Sequence, residues 1–158
     1  MKKVYTPEEK KAHINLVLKN ALFCHISMAN NNTPYMVTVN FGYDDDYIYF
    51  HSGQKGKKTE LIAANSNICF ELNYGAEIIS NKQSCNWGTK YRSVIGYAKA
   101  ELLKTDTDKT KGLLAIMQKY SGINEHEFNE HVMAHTNIYR ISLSDVNAKN
   151  NHWHWDDK

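Results

Sequence analysis

The sequence predicts a mainly β protein in which helices flank an antiparallel sheet. Segments that alternate apolar and polar residues follow one another as neighbouring hairpins with short turns between them. No regular alternation of strand and helix, of the kind that builds a parallel sheet, runs through the chain. A length of 158 residues is enough for one continuous core but short for two independent catalytic domains. We therefore expect a single domain over residues 1–158.

The composition argues against several classes of protein. The fractions of 42% hydrophobic and 23% charged residues are ordinary for a globular protein. No run approaches the roughly 18 consecutive apolar residues of a membrane-spanning helix, and the N-terminus lacks the apolar core of a signal peptide. A cytoplasmic location with no membrane partner is therefore expected. A net charge of +2 is too small to indicate a nucleic-acid partner.

The cysteines and acidic residues show no pattern typical of a metal or hydrolytic centre. Cys24, Cys69 and Cys85 have neither CxxC spacing nor an even count, which argues against a disulfide framework and a zinc site. Neither a Ser–His–Asp arrangement nor a pair of carboxylates suited to acid–base work is evident. We expect no metal site.

The N-terminal segment predicts a helix that covers one end of the sheet. Thr6 suits the N-cap position, Pro7 the first helical position, and Glu9 completes a capping box. The helix should reach about Asn20 and has no chemistry of its own. A strand follows at residues 22–29, and His25 within it is interpreted as a structural histidine.

The centre of the chain predicts two strands that form a hairpin. Residues 35–43 and 47–52 alternate with a period of two, and the three aspartates between them favour a turn. Such a hairpin would deliver His51 and Ser52 to its far end.

A glycine- and lysine-rich stretch, residues 53–58, follows this hairpin and is called the lysine turn below. It leads into a short helix. Lysines in the first turn of a helix are repelled by the positive end of the helix dipole, which destabilises the helix by about a few tenths of a kcal/mol per charge. A phosphate would reverse that penalty, because free N–H groups, two glycines and ammonium groups make an anion cradle. The alternative is a solvated basic turn. The stretch is not a Walker A loop, since GxxxxGK[ST] is absent.

The rest of the chain predicts three more strands and two helices. The strands are expected at residues 67–74, 88–103 and 136–143, with a polar connection at 75–84. The helices are expected at residues 106–120 and 125–133. His126 and His131 lie five apart and miss the spacing of a helical metal pair, whereas His131 and His135 would meet it only if the helix continued. We interpret these histidines as surface residues.

The C-terminal segment, residues 150–158, is unusual because two tryptophans alternate with two histidines. We interpret it as an aromatic strap that docks on a partner subunit. The alternatives are a flap that stacks on a bound aromatic cofactor and a haem ligand.

Three blocks, PYMVTVNFGY, IYFHSGQKGKKTELIAANSNICFE and YRSVIGYAKAEL, resemble a known family in order and spacing. The chain resembles the FMN-binding split-barrel proteins related to pyridoxamine 5'-phosphate oxidase, in particular the nitroimidazole-resistance branch. The resemblance extends from about Thr6 to Leu143. It implies a six-stranded antiparallel split β-barrel with flanking helices, and a homodimer with FMN at the subunit interface.

The resemblance also implies which residues contact the cofactor. In the family, one strand contacts the flavin, residues near the following helix start hold the phosphate, and a later strand reaches the cofactor across the dimer interface. In that order the matching residues are Thr38, Val39 and Asn40; His51, Ser52, Lys57 and Lys58; and Tyr91, Arg92 and Ser93. Thr38 departs from the pattern, because nitroimidazole-resistance proteins commonly have proline there.

The activity implied by the resemblance is that of an FMN-dependent oxidoreductase. We expect a reductase of small nitroaromatic, quinone-like or related acceptors. His51 is the candidate catalytic residue beside the reactive part of the flavin, because an imidazole can donate a proton or a hydrogen bond near neutral pH; the alternative is a structural, hydrogen-bonding histidine at the strand end. The alternatives are a flavin-binding protein without robust turnover and a haem-binding or haem-degrading split-barrel protein. Pyridoxamine phosphate is a weaker expectation, since no stretch resembles the C-terminal substrate-binding motif of that oxidase.

Overall fold

The computed structural model describes residues 6–151, which form two antiparallel sheets, four α-helices and one short 3-10 helix at Ser84–Asn86. The nine strands of the described residues are β1 (Cys24–Asn30), β2 (Thr33–Val39), β3 (Phe41–Tyr43), β4 (Tyr47–Gly53), β5 (Asn67–Ile79), β6 (Gly88–Lys99), β7 (Glu101–Leu102), β8 (Thr136–Ser142) and β9 (Val146–Asn151). The helices are α1 (Pro7–Asn20), α2 (Lys57–Ala64), α3 (Asp106–Ser121) and α4 (Glu130–His135).

The two sheets enclose one core without closing on each other. The five-stranded sheet has the order β2-β1-β5-β6-β9, and the four-stranded sheet has the order β3-β4-β8-β7. Side chains of both sheets are fully buried in the same hydrophobic core cluster, among them Ile26 and Val94 of the first sheet and Phe50 and Ile141 of the second. This architecture, mainly β with flanking helices and two unclosed sheets, confirms the predicted split barrel.

Helix α1 forms as its sequence predicts. The Thr6 N–H donates to Glu9 Oε2 at 2.9 Å and the Glu9 N–H donates to Thr6 Oγ1 at 3.2 Å, which completes the capping box. Its other end is held by Lys119 of α3, whose Nζ donates to the Leu18 carbonyl at 2.7 Å. Burial lowers the pKa of Lys119 to about 8.

The predicted continuous strand at residues 35–43 is wrong, because the chain changes sheet at Asn40. β2 pairs with β1 and places Val39 opposite Cys24, whereas β3 pairs with β4 and places Phe41 opposite Phe50. Val39 and Phe41 are both buried, so the alternation continues across the break. The hairpin therefore involves only β3 and β4, and the periodicity could not reveal the switch.

Helix α3 covers the outer face of the four-stranded sheet. Leu113 and Ile116 of α3 pack with Tyr49 of β4 and Ile138 of β8 in a second, smaller cluster. Gly42 of β3 lies against the backbone of α3, where a Cβ would lie 2.2 Å from the carbonyl carbon of Ala115. The absence of a side chain at Gly42 is what allows this close approach.

Several element boundaries differ from those predicted. β5 continues to Ile79 through a register shift between Tyr74 and Glu77, so the first half of the connection predicted at residues 75–84 is strand. The long strand predicted at residues 88–103 is divided at Ala100 into β6 and β7. β9 was not predicted, because its sequence, VNAKNN, has almost no apolar alternation.

Helix α4 and the end of β9 also differ from the predicted boundaries. α4 begins after Asn129, whose side chain accepts from the His131 N–H, and not at Glu125 as predicted. Asn150 and Asn151, the first residues of the predicted tail, belong to β9. The remainder of the proposed aromatic strap lies outside the described residues. Among the residues that the structure describes, no helix has the length and apolar character needed to cross a membrane.

Candidate functional site

The lysine turn connects the end of β4 to the start of α2. Lys57 and Lys58 are the first two residues of this eight-residue helix, and Gly56 is its N-cap with φ of 119°. Gly56 has no side chain to cap the first N–H groups, and no atom lies within 4 Å of a Cβ added there. The beginning of α2 is therefore an open helix N-terminus, the arrangement that favours an anion.

The two lysines of α2 are held by aromatic rings and a carbonyl. Lys58 Nζ donates to the His51 carbonyl at 3.1 Å and lies 5.7 Å from the centroid of the Phe50 ring. Lys57 Nζ lies 4.9 Å from the centroid of the Tyr35 ring. Burial lowers the pKa of Lys58. Within residues 6–151 neither lysine forms an ion pair with a carboxylate, so an anion would relieve unpaired positive charge.

Ser52 and Thr59 fix the shape of the lysine turn. The Thr59 hydroxyl donates to the Gly53 carbonyl at 2.8 Å, and Ser52 Oγ lies 3.1 Å from Thr59 Oγ1. Because the Thr59 proton is used on the carbonyl, the Ser52 hydroxyl is the donor of the second bond. Ser52 is 7% exposed. In this arrangement its hydroxyl orders the turn, and donation to a phosphate would require it to rotate.

His51 lies at the end of β4, on the face that α3 covers further along the strand. Its cross-strand partner is Ile138 of β8. Although the side chain reaches solvent, partial burial of the ring and the positive charge of Lys58 lower the pKa of His51. The imidazole is therefore neutral near pH 7, where it can donate or accept one hydrogen bond.

The first predicted group lies where β2 ends and the chain changes sheet. Val39 is 7% exposed and packs in the core, whereas Thr38 and Asn40 are exposed. Since Phe41 is opposite Phe50, Asn40 and His51 continue the two strands at the same end of the β3–β4 pair. The structure thus brings Asn40 to the end of the sheet from which the lysine turn begins.

The third predicted group lies on β6, in the other sheet. Arg92 and Ser93 are 2% and 5% exposed, and the Tyr91 ring lies 5.1 Å from Lys149 Nζ of β9. The lysine turn follows β4 of the four-stranded sheet, so the second and third groups do not share a sheet. A ligand that contacts both groups has to bridge two sheets or two copies of the chain.

Sequence reasoning missed three side chains around the lysine turn. These are Thr59, Phe50 and Gln54, the last of which donates its side-chain N–H to the Ala134 carbonyl of α4. Thr59 is the third residue of α2, and the N-cap residue Gly56 has no side chain that could cap the helix. A hydroxyl in the first turn of an uncapped helix is the sequence signal that could have indicated the role of Thr59 in ordering the turn. The ring beneath Lys58 and the tie to α4 depend on packing and have no local signal.

Two cavities away from the lysine turn are lined by Arg140, whose charge is already paired with a carboxylate. Cavities of about 450 and 410 Å³ meet at Arg140, whose guanidinium forms two hydrogen bonds with the Glu101 carboxylate, at 2.8 and 2.9 Å. The pKa of Arg140 is raised, first by that hydrogen bonding. A carboxylate already neutralises Arg140, whereas Lys57 and Lys58 have no carboxylate partner in the part of the chain that the structure describes, so the lysine turn is the better anion site.

Comparison with known protein families gives a match over most of the chain. A sequence model of the family described as pyridoxamine 5'-phosphate oxidase matches residues 10–150. Among curated proteins, none matches at a significant level.

Solved structures share this fold. A proposed 5-nitroimidazole antibiotic resistance protein from Bacteroides thetaiotaomicron has a TM-score of 0.80 at 24% identity, covering 90% of this chain and 84% of that chain. A flavocytochrome from Azotobacter vinelandii has a TM-score of 0.79 at 16% identity, covering 95% and 69%. A FAD and haem binding protein from Mycobacterium smegmatis has a TM-score of 0.83 at 13% identity, covering 100% and 77%. At these identities the likeness establishes the fold.

Proposed function

Because the chain belongs to the pyridoxamine 5'-phosphate oxidase family, we propose that it binds FMN and reduces small nitroaromatic, quinone-like or related acceptors. The observation that supports this most directly is the open N-terminus of α2, with two lysines that lack carboxylate partners within the described residues. The fold it shares with a proposed 5-nitroimidazole antibiotic resistance protein favours a nitroaromatic acceptor.

The residues of the lysine turn fit the phosphate of a flavin nucleotide. Lys57 and Lys58 would supply charge-assisted hydrogen bonds, and the first N–H groups of α2 would donate along the helix axis. Gly56 leaves open space for the phosphate to approach the backbone. Ser52 and Thr59 would keep these donors in place through their mutual hydrogen bond. Bound FMN would supply the electron transfer, while the protein supplies binding and orientation.

His51 would act next to the phosphate site as a neutral hydrogen-bonding group. Its lowered pKa leaves an uncharged imidazole at physiological pH, so it would orient an acceptor or pass a proton through one ring nitrogen. Asn40, at the same end of the β3–β4 pair, offers a second polar group. Both roles rest on the placement of these residues beside the lysine turn.

We predict that His51→Ala retains FMN but lowers reductase turnover by about tenfold, the loss expected for one hydrogen bond worth about 1.4 kcal/mol. His51→Gln, which keeps a donor and an acceptor, should restore part of the rate. Steady-state rates at saturating FMN and the FMN dissociation constant of each variant provide the measurement. Turnover equal to wild type in His51→Ala would assign His51 a structural role.

A homodimer with cofactor between the subunits is part of the proposal. The outer face of the five-stranded sheet carries large apolar side chains that are exposed to solvent: Met36 is 65% exposed, Tyr97 59% and Ile95 39%. The register places Met36, Ser27, Cys69 and Tyr97 in one row across four strands, so the apolar groups share that face. Large apolar side chains exposed on one sheet face favour an interface, and a second copy would bring a β6 strand to the cofactor.

We predict that Tyr97→Glu converts the dimer to a monomer and weakens FMN binding, because an unpaired charge would have to be buried between the sheets. Ile123→Glu is the matched control, since Ile123 is 55% exposed in the loop after α3. Light scattering coupled to size exclusion measures the mass, and absorbance measures bound FMN. A Tyr97→Glu protein that remains dimeric with full FMN would exclude this face as the interface.

Haem binding is the second candidate function. Two solved structures with the same fold are a flavocytochrome and a FAD and haem binding protein. The C-terminal sequence NHWHWDDK also contains two histidines that could ligate iron.

The absorbance spectrum of the purified protein separates these functions. Flavin bands together with NAD(P)H-dependent reduction of a nitroaromatic or quinone would support the proposed reductase. Flavin bands without turnover of any tested donor and acceptor would indicate a flavin-binding protein. A Soret band without flavin would replace the proposal with the haem candidate.

A further inference from the structure

Helix α4 presents two histidines one turn apart on its exposed side. The rings of His131 and His135 stack with centroids 4.2 Å apart and an angle of 30° between their planes. Both side chains are exposed. The helix continues to His135, which meets the condition that the sequence left open for a pair at positions i and i+4. The two imidazoles therefore lie side by side on one face of the helix, where a rotation of the rings about their side-chain bonds would aim one nitrogen of each at a shared ion.

The hydrogen bonding of His135 leaves one ring nitrogen available. His135 Nδ1 lies 2.9 Å from the His131 carbonyl oxygen. A carbonyl only accepts, so Nδ1 carries the hydrogen and Nε2 holds the lone pair. A ring nitrogen that donates to a backbone carbonyl is the usual second interaction of a metal-binding histidine, because it fixes both tautomer and ring orientation.

Side chains from two other elements hold α4 in place. Lys109 Nζ of α3 donates to the Met133 carbonyl at 3.3 Å, and Gln54 of the lysine turn donates to the Ala134 carbonyl. The Asn129 side chain caps the start of the helix by accepting from the His131 N–H at 2.7 Å. These contacts support a short helix that would otherwise be marginal, and they fix the spacing of the two histidines.

We propose that His131 and His135 bind a divalent transition-metal ion of the class that prefers imidazole, such as Ni²⁺, Cu²⁺ or Zn²⁺. Within residues 6–151 no group of three or more His, Cys, Asp or Glu side chains is arranged to hold a metal. The site is thus an open two-histidine site, whose remaining positions water or an external ligand fills. It does not depend on the proposed flavin.

The proposal is tested by titrating Ni²⁺ into the full chain after chelator treatment and measuring binding by calorimetry. Wild type should bind one Ni²⁺ per chain at α4, and His131→Ala and His135→Ala should each weaken binding by about tenfold or more. His126→Ala should bind as wild type, because His126 pairs with Ser121 outside α4. Mg²⁺, which prefers oxygen ligands, should give no binding.

Further measurements exclude unfolding of α4 and metal binding by the C-terminal histidines as explanations of a change in Ni²⁺ affinity. The metal-free thermal midpoint of each variant shows whether α4 remains folded, and His131→Gln provides a second variant at the same position if alanine disturbs it. The double change His152→Ala with His154→Ala should leave the α4 site intact. Equal Ni²⁺ affinity in wild type and both folded α4 variants, or loss of all binding only in the tail variant, would overturn the proposal.

Discussion

Gly42→Ala is expected to destabilise the protein by about 3 kcal/mol or more, the upper range for overpacking a core. A Cβ at this position would lie 2.2 Å from both the Ala115 carbonyl carbon and the Ile116 nitrogen. These are backbone atoms inside α3, so no rotamer change can relieve the clash. The helix would have to move off β3, which would also open the cluster formed by Tyr49, Leu113 and Ile116.

Two other glycines provide graded controls for this prediction. A Cβ at Gly112 would meet the Ile138 Cγ2 methyl group at 2.7 Å, and a side chain can shift, so Gly112→Ala should be less destabilising. At Gly88 the nearest atom is 3.8 Å away, which is an ordinary contact, and the change should be within about 0.5 kcal/mol. Urea denaturation at equilibrium measures all three. Similar midpoints for Gly42→Ala and Gly88→Ala would contradict the close packing of α3 on β3.

The position of Gly42 illustrates what the sequence could predict about the fold. Alternation and turn residues predicted the strands, because burial of one face sets a period of two wherever a strand forms. A period of two through residues 35–43 puts Gly42 on the same face as Met36 and Thr38, yet the chain changes sheet at Asn40 and Gly42 meets α3. Partner choice at such a crossing is decided by tertiary packing, which the period does not encode.

The edge strand β9 and the far end of β5 were not predicted, also because their pairing is not encoded in an apolar period. β9 pairs with β6 along one edge of the five-stranded sheet, and five of its six residues are polar or alanine. Backbone hydrogen bonds hold such an edge strand, so its side chains need no apolar pattern. β5 likewise continues past the register shift between Tyr74 and Glu77, because the backbone of residues 77–79 pairs with residues 88–90 of β6.

The candidate site was predicted where its signals are local. Glycines and lysines at a helix start define the lysine turn within a few residues, and the structure places Lys57 and Lys58 in the first turn of α2. The ring beneath Lys58 and the bond from Ser52 to Thr59 arise from the packing of β4 against α2. The distance between this turn and β6 depends on sheet order, which a single sequence does not determine.

Lys58→Ala is expected to weaken FMN binding by about ten- to a hundredfold, the equivalent of a charge-assisted contact worth roughly 1.5–3 kcal/mol. Riboflavin, which lacks the phosphate, should lose much less. The comparison is needed because Lys58 Nζ also donates to the His51 carbonyl and lies over the Phe50 ring. Loss of those contacts would loosen the turn and weaken both ligands alike.

A double difference isolates the phosphate contribution. FMN and riboflavin are each titrated against wild type and Lys58→Ala, and the change in the ratio of the two affinities is the phosphate-dependent loss. Lys55→Ala is the matched control, because Lys55 is exposed and precedes α2, so its removal should alter the ratio only slightly. Equal losses for FMN and riboflavin in Lys58→Ala, or no loss for either, would show that the open start of α2 does not bind the phosphate. The proposed flavin nucleotide site would then lose the structural observation on which it rests.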